Sequence, residues 1–104
     1  MTSALSDELK SLIKDAAKLL GLKQGLLGNL WFHENGAEFE PFNPERGDLW
    51  KVAEAAGLRV DFSCEEVSTR DKNYAFGFTK GDYQSLATAV LRAASAVLHE
   101  RGEE

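Results

Sequence analysis

The chain has 104 residues, with 12 lysine and arginine side chains against 17 aspartate and glutamate side chains, and a net charge of −5 at pH 7. This length predicts a single domain, because an independent core usually needs roughly 100–200 residues. The single cysteine excludes an internal disulfide and a zinc site built from several cysteines. The negative charge argues against direct binding to the phosphate backbone of nucleic acids.

The sequence contains no apolar stretch of the roughly 18 or more residues that a transmembrane helix needs. Asp7 and Glu8 precede the first lysine and no apolar run follows, which is the wrong order for a secretory signal. The lone Cys64 fits a reducing compartment. We therefore predict a cytoplasmic protein that has no contact with a membrane.

The first predicted element is a helix capped by Ser6, because leucine, isoleucine and alanine recur behind it at three- and four-residue spacing. Gly21 suits the left-handed position after a helix, so the helix should end near Leu20. Residues 22–28, which include two glycines, are predicted to be a connecting loop.

A β-hairpin is predicted around the Asn-Gly pair at positions 35 and 36, since this pair favours a two-residue turn. That turn would place Phe32 opposite Phe39 on one face, and His33 opposite Glu38 on the other. The second face would carry a mixed set of aromatic and ionisable side chains: Trp31, His33, Glu38, Glu40 and Phe42.

The second half begins with a short helix, predicted from Leu49 to about Ala56, with Asp48 as its cap and Gly57 after its end. Alternation of apolar and polar residues predicts a strand over residues 58–64, with Cys64 facing inward.

A polar loop over residues 65–72 and a strand over residues 73–79 follow in the prediction. A last helix, capped by Asp82 and rich in alanine, completes the chain. The predicted fold class is therefore α+β, a single-domain sandwich of residues 1–104 in the order αββαββα. Four antiparallel strands would form one sheet packed with helices, and residues 1–28 would be a helix and loop added to it.

Three segments resemble the small phage-associated ABA sandwich domains: Phe42-Asn43-Pro44, Ala56-Gly57-Leu58-Arg59-Val60 and the alanine-rich stretch of residues 87–94. The resemblance covers about residues 30–101 and leaves the first helix outside it; Phe42 stands where that pattern more often has tryptophan. It implies a phage or prophage origin, and hence the host cytoplasm as the location. Its motifs are packing and capping signals, so it implies no activity.

Candidate catalytic residues are sparse, and we predict neither an enzyme nor a bound metal or cofactor. His33, His99 and Cys64 lie far apart in the chain without the spacing of metal ligands. A pair of Cys64 with His33, or of His33 with Glu38, could transfer protons, but an inward cysteine and a surface cross-strand pair are the commoner structures. Acidic pairs at residues 38 and 40 and at residues 65 and 66 could serve hydrolysis, although such side chains more often keep a surface soluble.

The negative charge is concentrated in residues 34–66, which contain 9 acidic and 3 basic side chains, while the flanking segments are balanced. Such a segment is either an ordinary solvated surface or the footprint of a basic partner. Trp31 and Phe42 are either core residues under the first helix or an aromatic patch with an acidic rim.

We predict a small, acidic, phage-type accessory protein that binds a basic protein surface of a host complex, most concretely an inhibitor of a host defence nuclease similar to anti-CRISPR proteins. The predicted partner is a protein, even where the host complex itself binds nucleic acid. The alternatives are a phage assembly component that forms homo-oligomers and a small enzyme that uses His33 and a carboxylate. The predicted binding residues are Trp31, His33, Glu34, Glu38, Glu40, Phe42, Glu45, Asp61, Glu65 and Glu66.

Overall fold

The computed structural model describes residues 7–25, 30–70 and 73–100. These residues contain three helices: α1 (Asp7–Leu20), α2 (Asp48–Ala56) and α3 (Tyr83–Glu100). The predicted lengths of all three are confirmed to within a residue or two, and the predicted cap Ser6 lies outside the described residues.

The ends of α2 and α3 follow from local chemistry. The carboxylate of Asp82 accepts a hydrogen bond from the backbone N–H of Ser85 in the first turn of α3, which confirms it as a helix cap. Gly57 closes α2 with φ = 69°, and the N–H groups of Gly57 and Leu58 donate to the carbonyls of Glu54 and Ala53. This reversal needs a left-handed residue, and glycine adopts that conformation at the least cost.

The strands form two small antiparallel sheets. β1 (Lys23–Gln24) pairs with β2 (Trp31–Phe32), while β3 (Arg59–Asp61), β4 (Glu66–Ser68) and β5 (Ala75–Gly77) form a second sheet in the order β3-β4-β5. The fold class α+β is confirmed. The single four-stranded sheet and the order αββαββα are wrong, because β1 and β4 lie in the segments predicted to be loops.

The predicted hairpin register is also wrong by one residue. Phe32 lies opposite Glu38 instead of Phe39, and the N–H of His33 donates to the carbonyl of Ala37 across a three-residue turn. Only Gly36 of this turn has a positive φ, 91°, so the turn is not the two-residue type that needs two such residues. A one-residue slip moves side chains to opposite faces, and Phe39 becomes a buried neighbour of the His33 ring.

The third predicted strand stops early. β3 ends at Asp61, whose carboxylate accepts hydrogen bonds from the N–H groups of Ser63 and Cys64 and turns the chain away. The predicted inward orientation of Cys64 is therefore wrong, since its side chain is exposed, and Phe62 is 49 % exposed.

The core lies where the three helices meet the second sheet. Leu49 and Val52 of α2, Leu91 of α3 and Val67 of β4 are fully buried, and α3 contributes four alanines with almost no exposed surface. Small side chains let α1 and α2 approach α3 closely. The radius of gyration of 13.2 Å agrees with about 13 Å for a compact chain of about 100 residues.

Candidate interaction surface

An open groove of about 520 Å³ runs along the hairpin side of the molecule. We call it the aromatic groove; its lining consists of Ile13 on α1, Leu30, Trp31 and residues 38–44. Seven of these ten residues are apolar, and the carboxylates of Glu38 and Glu40 supply the charge. Its composition is that of a small binding site: mainly apolar walls with a few placed polar groups.

Trp31 and Phe42 serve both roles that the sequence left open. Both are partly buried against the core cluster, and both also line the aromatic groove. Ile13 of α1 lines the same groove, and both aromatic side chains keep part of their surface exposed. The first helix therefore contributes to this face without burying the two aromatics completely.

Asp48 at the start of α2 connects this helix to the hairpin side. Its Oδ1 lies 2.8 Å from Nε2 of His33, and its Oδ2 accepts a 2.7 Å hydrogen bond from the N–H of Glu40. Asp48 is only 2 % exposed and forms no side-chain cap on α2, whose cap residue is Gly47. The predicted capping role is wrong because the carboxylate turns to the hairpin, where it joins α2 to residues on both sides of the hairpin turn.

Arg46 pairs with one groove carboxylate and holds the rim of the aromatic groove in place. Its Nη1 donates to Oε2 of Glu40 at 2.8 Å, and its Nη2 donates to the backbone carbonyl of Glu38 at 2.9 Å. The same guanidinium lies 3.8 Å from Oδ2 of Asp48. A single arginine thus holds residues 38–40 against α2 and leaves Glu40 paired.

The start of α3 anchors the other end of the groove. The hydroxyl of Tyr83 donates to the carbonyl of Pro41 at 3.3 Å, and the amide of Gln84 donates to the carbonyl of Phe42 at 3.1 Å. Burial raises the pKa of Tyr83, and the negative charge of Asp48 adds to the effect.

The remaining acidic residues of the hairpin side are less constrained. Glu34 and Glu45 are exposed, and Glu38 is partly buried on the groove wall. No cation of the described residues pairs with the side chain of Glu38. Glu38 is therefore the one groove carboxylate whose charge the described part of the protein leaves uncompensated.

Asp61, Glu65 and Glu66 form a second acidic group, in the turn between β3 and β4. Asp61 lies directly opposite Glu66 in the strand pairing. Hydrogen bonds from the N–H groups of Cys64 and Ser63 lower the pKa of Asp61, and its charge in turn raises the pKa of the Cys64 thiol. Glu65 has a left-handed backbone with φ = 53°, and its carboxylate accepts a hydrogen bond from the N–H of Lys80.

The two acidic groups lie in different parts of the fold, the first in residues 34–45 around the hairpin turn and the second in residues 61–66 of the second sheet. They meet the same short segment, because Glu65 contacts Lys80 just before α3 while Pro41 and Phe42 contact Tyr83 and Gln84 at its start. The seven acidic residues among the ten predicted binding residues thus form two acidic patches, and a hydrogen bond joins the segment of each patch to residues 80–84.

Sequence reasoning missed four residues that hold the groove together: Arg46, Asp48 in its bridging role, Tyr83 and Gln84. Arg46 carried a usable signal, because it is one of only three cations in the acidic segment. The roles of Asp48 and Tyr83 depend on contacts between distant elements, which spacing along the chain does not encode.

The catalytic candidates do not form the proton-transfer pairs that the sequence allowed. His33 pairs with Asp48 and not with Glu38, and its side chain is 15 % exposed. Its ring is not part of the groove lining. Cys64 lies in the β3–β4 turn and His33 beside the hairpin turn, and the raised pKa of the exposed thiol leaves less of the nucleophilic thiolate near neutral pH.

Asp15 forms another polar cluster, between α1 and α3. Its Oδ2 accepts a 2.6 Å hydrogen bond from the hydroxyl of Ser95 and lies 3.3 Å from Nε2 of His99. The serine donates to the aspartate and not to the histidine, so the geometry of a catalytic triad is absent from this cluster. Within the described ranges, no three histidine, cysteine, aspartate or glutamate side chains converge as they would around a metal ion.

A separate cavity of about 390 Å³ lies where α2 and α3 end, and its lining includes Glu54, Arg70 and Glu100. None of the predicted binding residues contributes to it. Glu54 and Glu100 are exposed and are therefore suitable control positions for experiments on the aromatic groove.

Comparison of the chain with protein-family models, with curated proteins and with solved structures finds no match. In residues 7–25, 30–70 and 73–100, no helix combines the length and apolar character needed to cross a membrane.

Proposed function

We propose that this protein is a non-enzymatic binding module that docks on a basic surface of another protein through the aromatic groove. The observation that carries the proposal is the combination in one groove of partly exposed Trp31 and Phe42 with the carboxylate of Glu38, which pairs with no cation of the described residues. Buried aromatic anchors supply most of the affinity in protein interfaces, and surrounding charges set the orientation and the rate of association.

The acidic patches extend this surface. Glu34 and Glu45 lie on the hairpin side, and Asp61, Glu65 and Glu66 lie at the β3–β4 turn. A basic partner that covers the groove would gain long-range attraction from both patches, which falls with added salt.

The narrower form of the proposal is an inhibitor that covers the nucleic-acid-binding surface of a host defence nuclease. Its support is the negative charge, because the surfaces that bind phosphate backbones are basic. The phage origin implied by the resemblance to ABA sandwich domains stays a prediction. If this form is right, the captured partner is a nucleic-acid-binding complex and an oligonucleotide competes with the protein for it.

The test compares two charge-reversed variants of equal charge in affinity capture from a nuclease-treated cell lysate, quantified by mass spectrometry. The double variant E38K/E45K changes the groove side, and E54K/E100K makes the same change in net charge at the distant cavity. We expect basic proteins to be enriched by the unmodified protein and by E54K/E100K, to be lost with E38K/E45K, and to elute with salt. Equal capture by both variants would contradict the proposal.

The two alternatives make separate predictions. A phage assembly component would form concentration-dependent oligomers, which light scattering would detect. For a small enzyme, the pairing of His33 with buried Asp48 favours a structural role instead, since this pair joins the hairpin to α2 and lies outside the groove lining.

A further inference from the structure

We infer that the aromatic groove binds a short peptide segment of the partner, in which an apolar side chain enters the groove and a neighbouring arginine or lysine pairs with Glu38. This inference rests on the proposed function and specifies the chemistry of its partner. The proposed occupant of the groove is a peptide segment, and binding of single-stranded nucleic acid there would overturn the inference.

The apolar part of the inference follows from the walls of the groove. Phe39, only 5 % exposed, together with Ile13, Trp31 and Phe42 forms a continuous apolar lining that connects to the core. A groove of about 520 Å³ has room for more than one side chain. We therefore expect a short segment that lies extended across the groove, and not the insertion of one side chain alone. An apolar side chain that leaves water here gains the hydrophobic stabilisation that marks binding hot spots.

The charged part follows from the unequal states of the two groove carboxylates. Glu40 already has Arg46 at 2.8 Å, whereas the carboxylate of Glu38 has no cation among the described residues. A cation from outside therefore gains most at Glu38, beside the apolar walls. A phosphate would instead meet repulsion from both carboxylates, which is why a basic peptide fits and a nucleic acid does not.

The backbone of the groove is fixed before any partner arrives. Hydrogen bonds hold the carbonyls of Glu38, Pro41 and Phe42 and the N–H of Glu40, and their partners come from Arg46, α2 and α3. Binding to such a rim costs little ordering, which favours recognition of a flexible peptide by a rigid protein.

The test uses a matrix of synthetic seven-residue peptides. The central position is leucine, phenylalanine, serine or glutamate, and the two positions on each side are arginine, glutamine or glutamate. Binding is measured in solution with the variant W50F, because Trp50 is 44 % exposed on α2 and its removal leaves Trp31 in the groove as the only tryptophan.

We expect saturable changes in Trp31 emission with peptides that combine an apolar centre and arginine flanks. Serine at the centre and glutamine in the flanks should each weaken binding at least fivefold. The isosteric variant E38Q should weaken binding of the arginine peptides about threefold to fivefold, as expected for one partly exposed ion pair, and leave the glutamine peptides unchanged. The control E54Q should match the unmodified protein.

Three results with the peptides would overturn the inference: no saturable change with any peptide, equal affinity for leucine and serine centres, or equal effects of E38Q and E54Q. Saturable binding of oligothymidylate to Trp31 would overturn it as well. Failure here is distinguishable from failure of the proposed function: loss of basic proteins with E38K/E45K but no peptide binding would mean that a folded basic surface is recognised, whereas no difference in capture between E38K/E45K and E54K/E100K would remove the proposed function itself.

Discussion

The hairpin side of the molecule, residues 31–48, and the β3–β4 turn, residues 61–66, are both acidic, yet their carboxylates do different work. On the hairpin side, Asp48 is buried and bonded to another element, and Glu40 has an arginine partner. In the turn, the hydrogen bonds of Asp61 stay within its own loop, on Ser63 and Cys64, with Glu66 exposed opposite it. A run of acidic residues in a sequence therefore contains two kinds of carboxylate: some tether structural elements to each other, and others only add charge to the surface. The contacts in the structure are needed to tell the two kinds apart.

The largest expected effect is on the buried tether. Asp48→Ala removes the acceptor of His33 and of the Glu40 N–H, and we expect it to lower the free energy of unfolding by about 3 kcal/mol, as for other buried charge partners. Asp48→Asn should lower it less, because one acceptor oxygen remains. Urea denaturation measures both. The matched change Asp61→Ala should shift the urea midpoint much less, and a shift as large as that of Asp48→Ala would contradict the comparison.

The left-handed turn residues provide the second contrast. Gly36→Ala places a side chain at φ = 91° and should destabilise the protein by about 1 kcal/mol. Glu65→Ala leaves an ordinary side chain at φ = 53° and removes only the bond to Lys80, so its effect should be smaller.

Gly47→Ala is the control for this pair. Gly47 has φ = −89° and, like Gly36, open space around an added Cβ. Because this position needs no left-handed backbone, only the preference for glycine over alanine at a helix cap is lost, and the free energy of unfolding should fall by roughly 0.5 kcal/mol, less than for Gly36→Ala. If Gly47→Ala and Gly36→Ala cost the same, backbone conformation is not the cause.

A smaller effect concerns the neighbour of the buried carboxylate. Burial, with help from Asp48, raises the pKa of Tyr83 above its ordinary value of 10.0. The folded protein thus holds this proton more tightly than the unfolded chain, and the stability that it provides is lost as the pH rises through the raised pKa. In the variant Y74F, phenolate absorbance reports Tyr83 alone, and adding D48N should move its titration to lower pH. An unchanged titration would show that burial acts without Asp48.

The smallest expected effect concerns the neighbour of the exposed carboxylate. The charge of Asp61, followed by its hydrogen bond, raises the pKa of Cys64, which reduces the reactive thiolate near neutral pH. Asp61→Asn should therefore speed alkylation of Cys64 by iodoacetamide severalfold. Glu66→Gln should speed it less, because the charge of Glu66 contributes less to the shift. The reverse order would mean that accessibility, not charge, limits the reaction.

Local signals predicted the helices well. The apolar stripe of α1, the bond from Asp82 into α3 and the left-handed Gly57 all appear where the sequence placed them. Each depends on residues within one or two turns, so nearby sequence contains the cause.

The strands were harder to predict for a physical reason. β1 is the polar pair Lys23–Gln24, and β4 is the short Glu66–Ser68 in which only Val67 is buried, so neither shows an alternating pattern. Their pairing is decided by β2, β3 and β5, which lie elsewhere in the chain. The apolar alternation past Asp61 predicted a strand that is too long, since Asp61 bonds its own loop and ends β3.

Part of the candidate surface was predictable. The sequence placed aromatic and acidic residues together around Trp31 and Phe42, and the structure brings both into the aromatic groove with Glu38 and Glu40. The groove's walls and its fixed rim depend on Ile13, Arg46 and the start of α3. These contacts between distant elements required the fold.

The pairing of α1 with α3 also bears on synthesis of the chain. Asp15 and Ser95 are 80 residues apart, and Glu8 pairs with Arg92 across the same interface. Contacts of such long sequence separation form late, because a large loop must close before they contribute. On the ribosome, the apolar stripe of α1 would therefore stay unpaired with α3 until α3 emerges. We expect chaperones to bind the nascent chains that stop before α3.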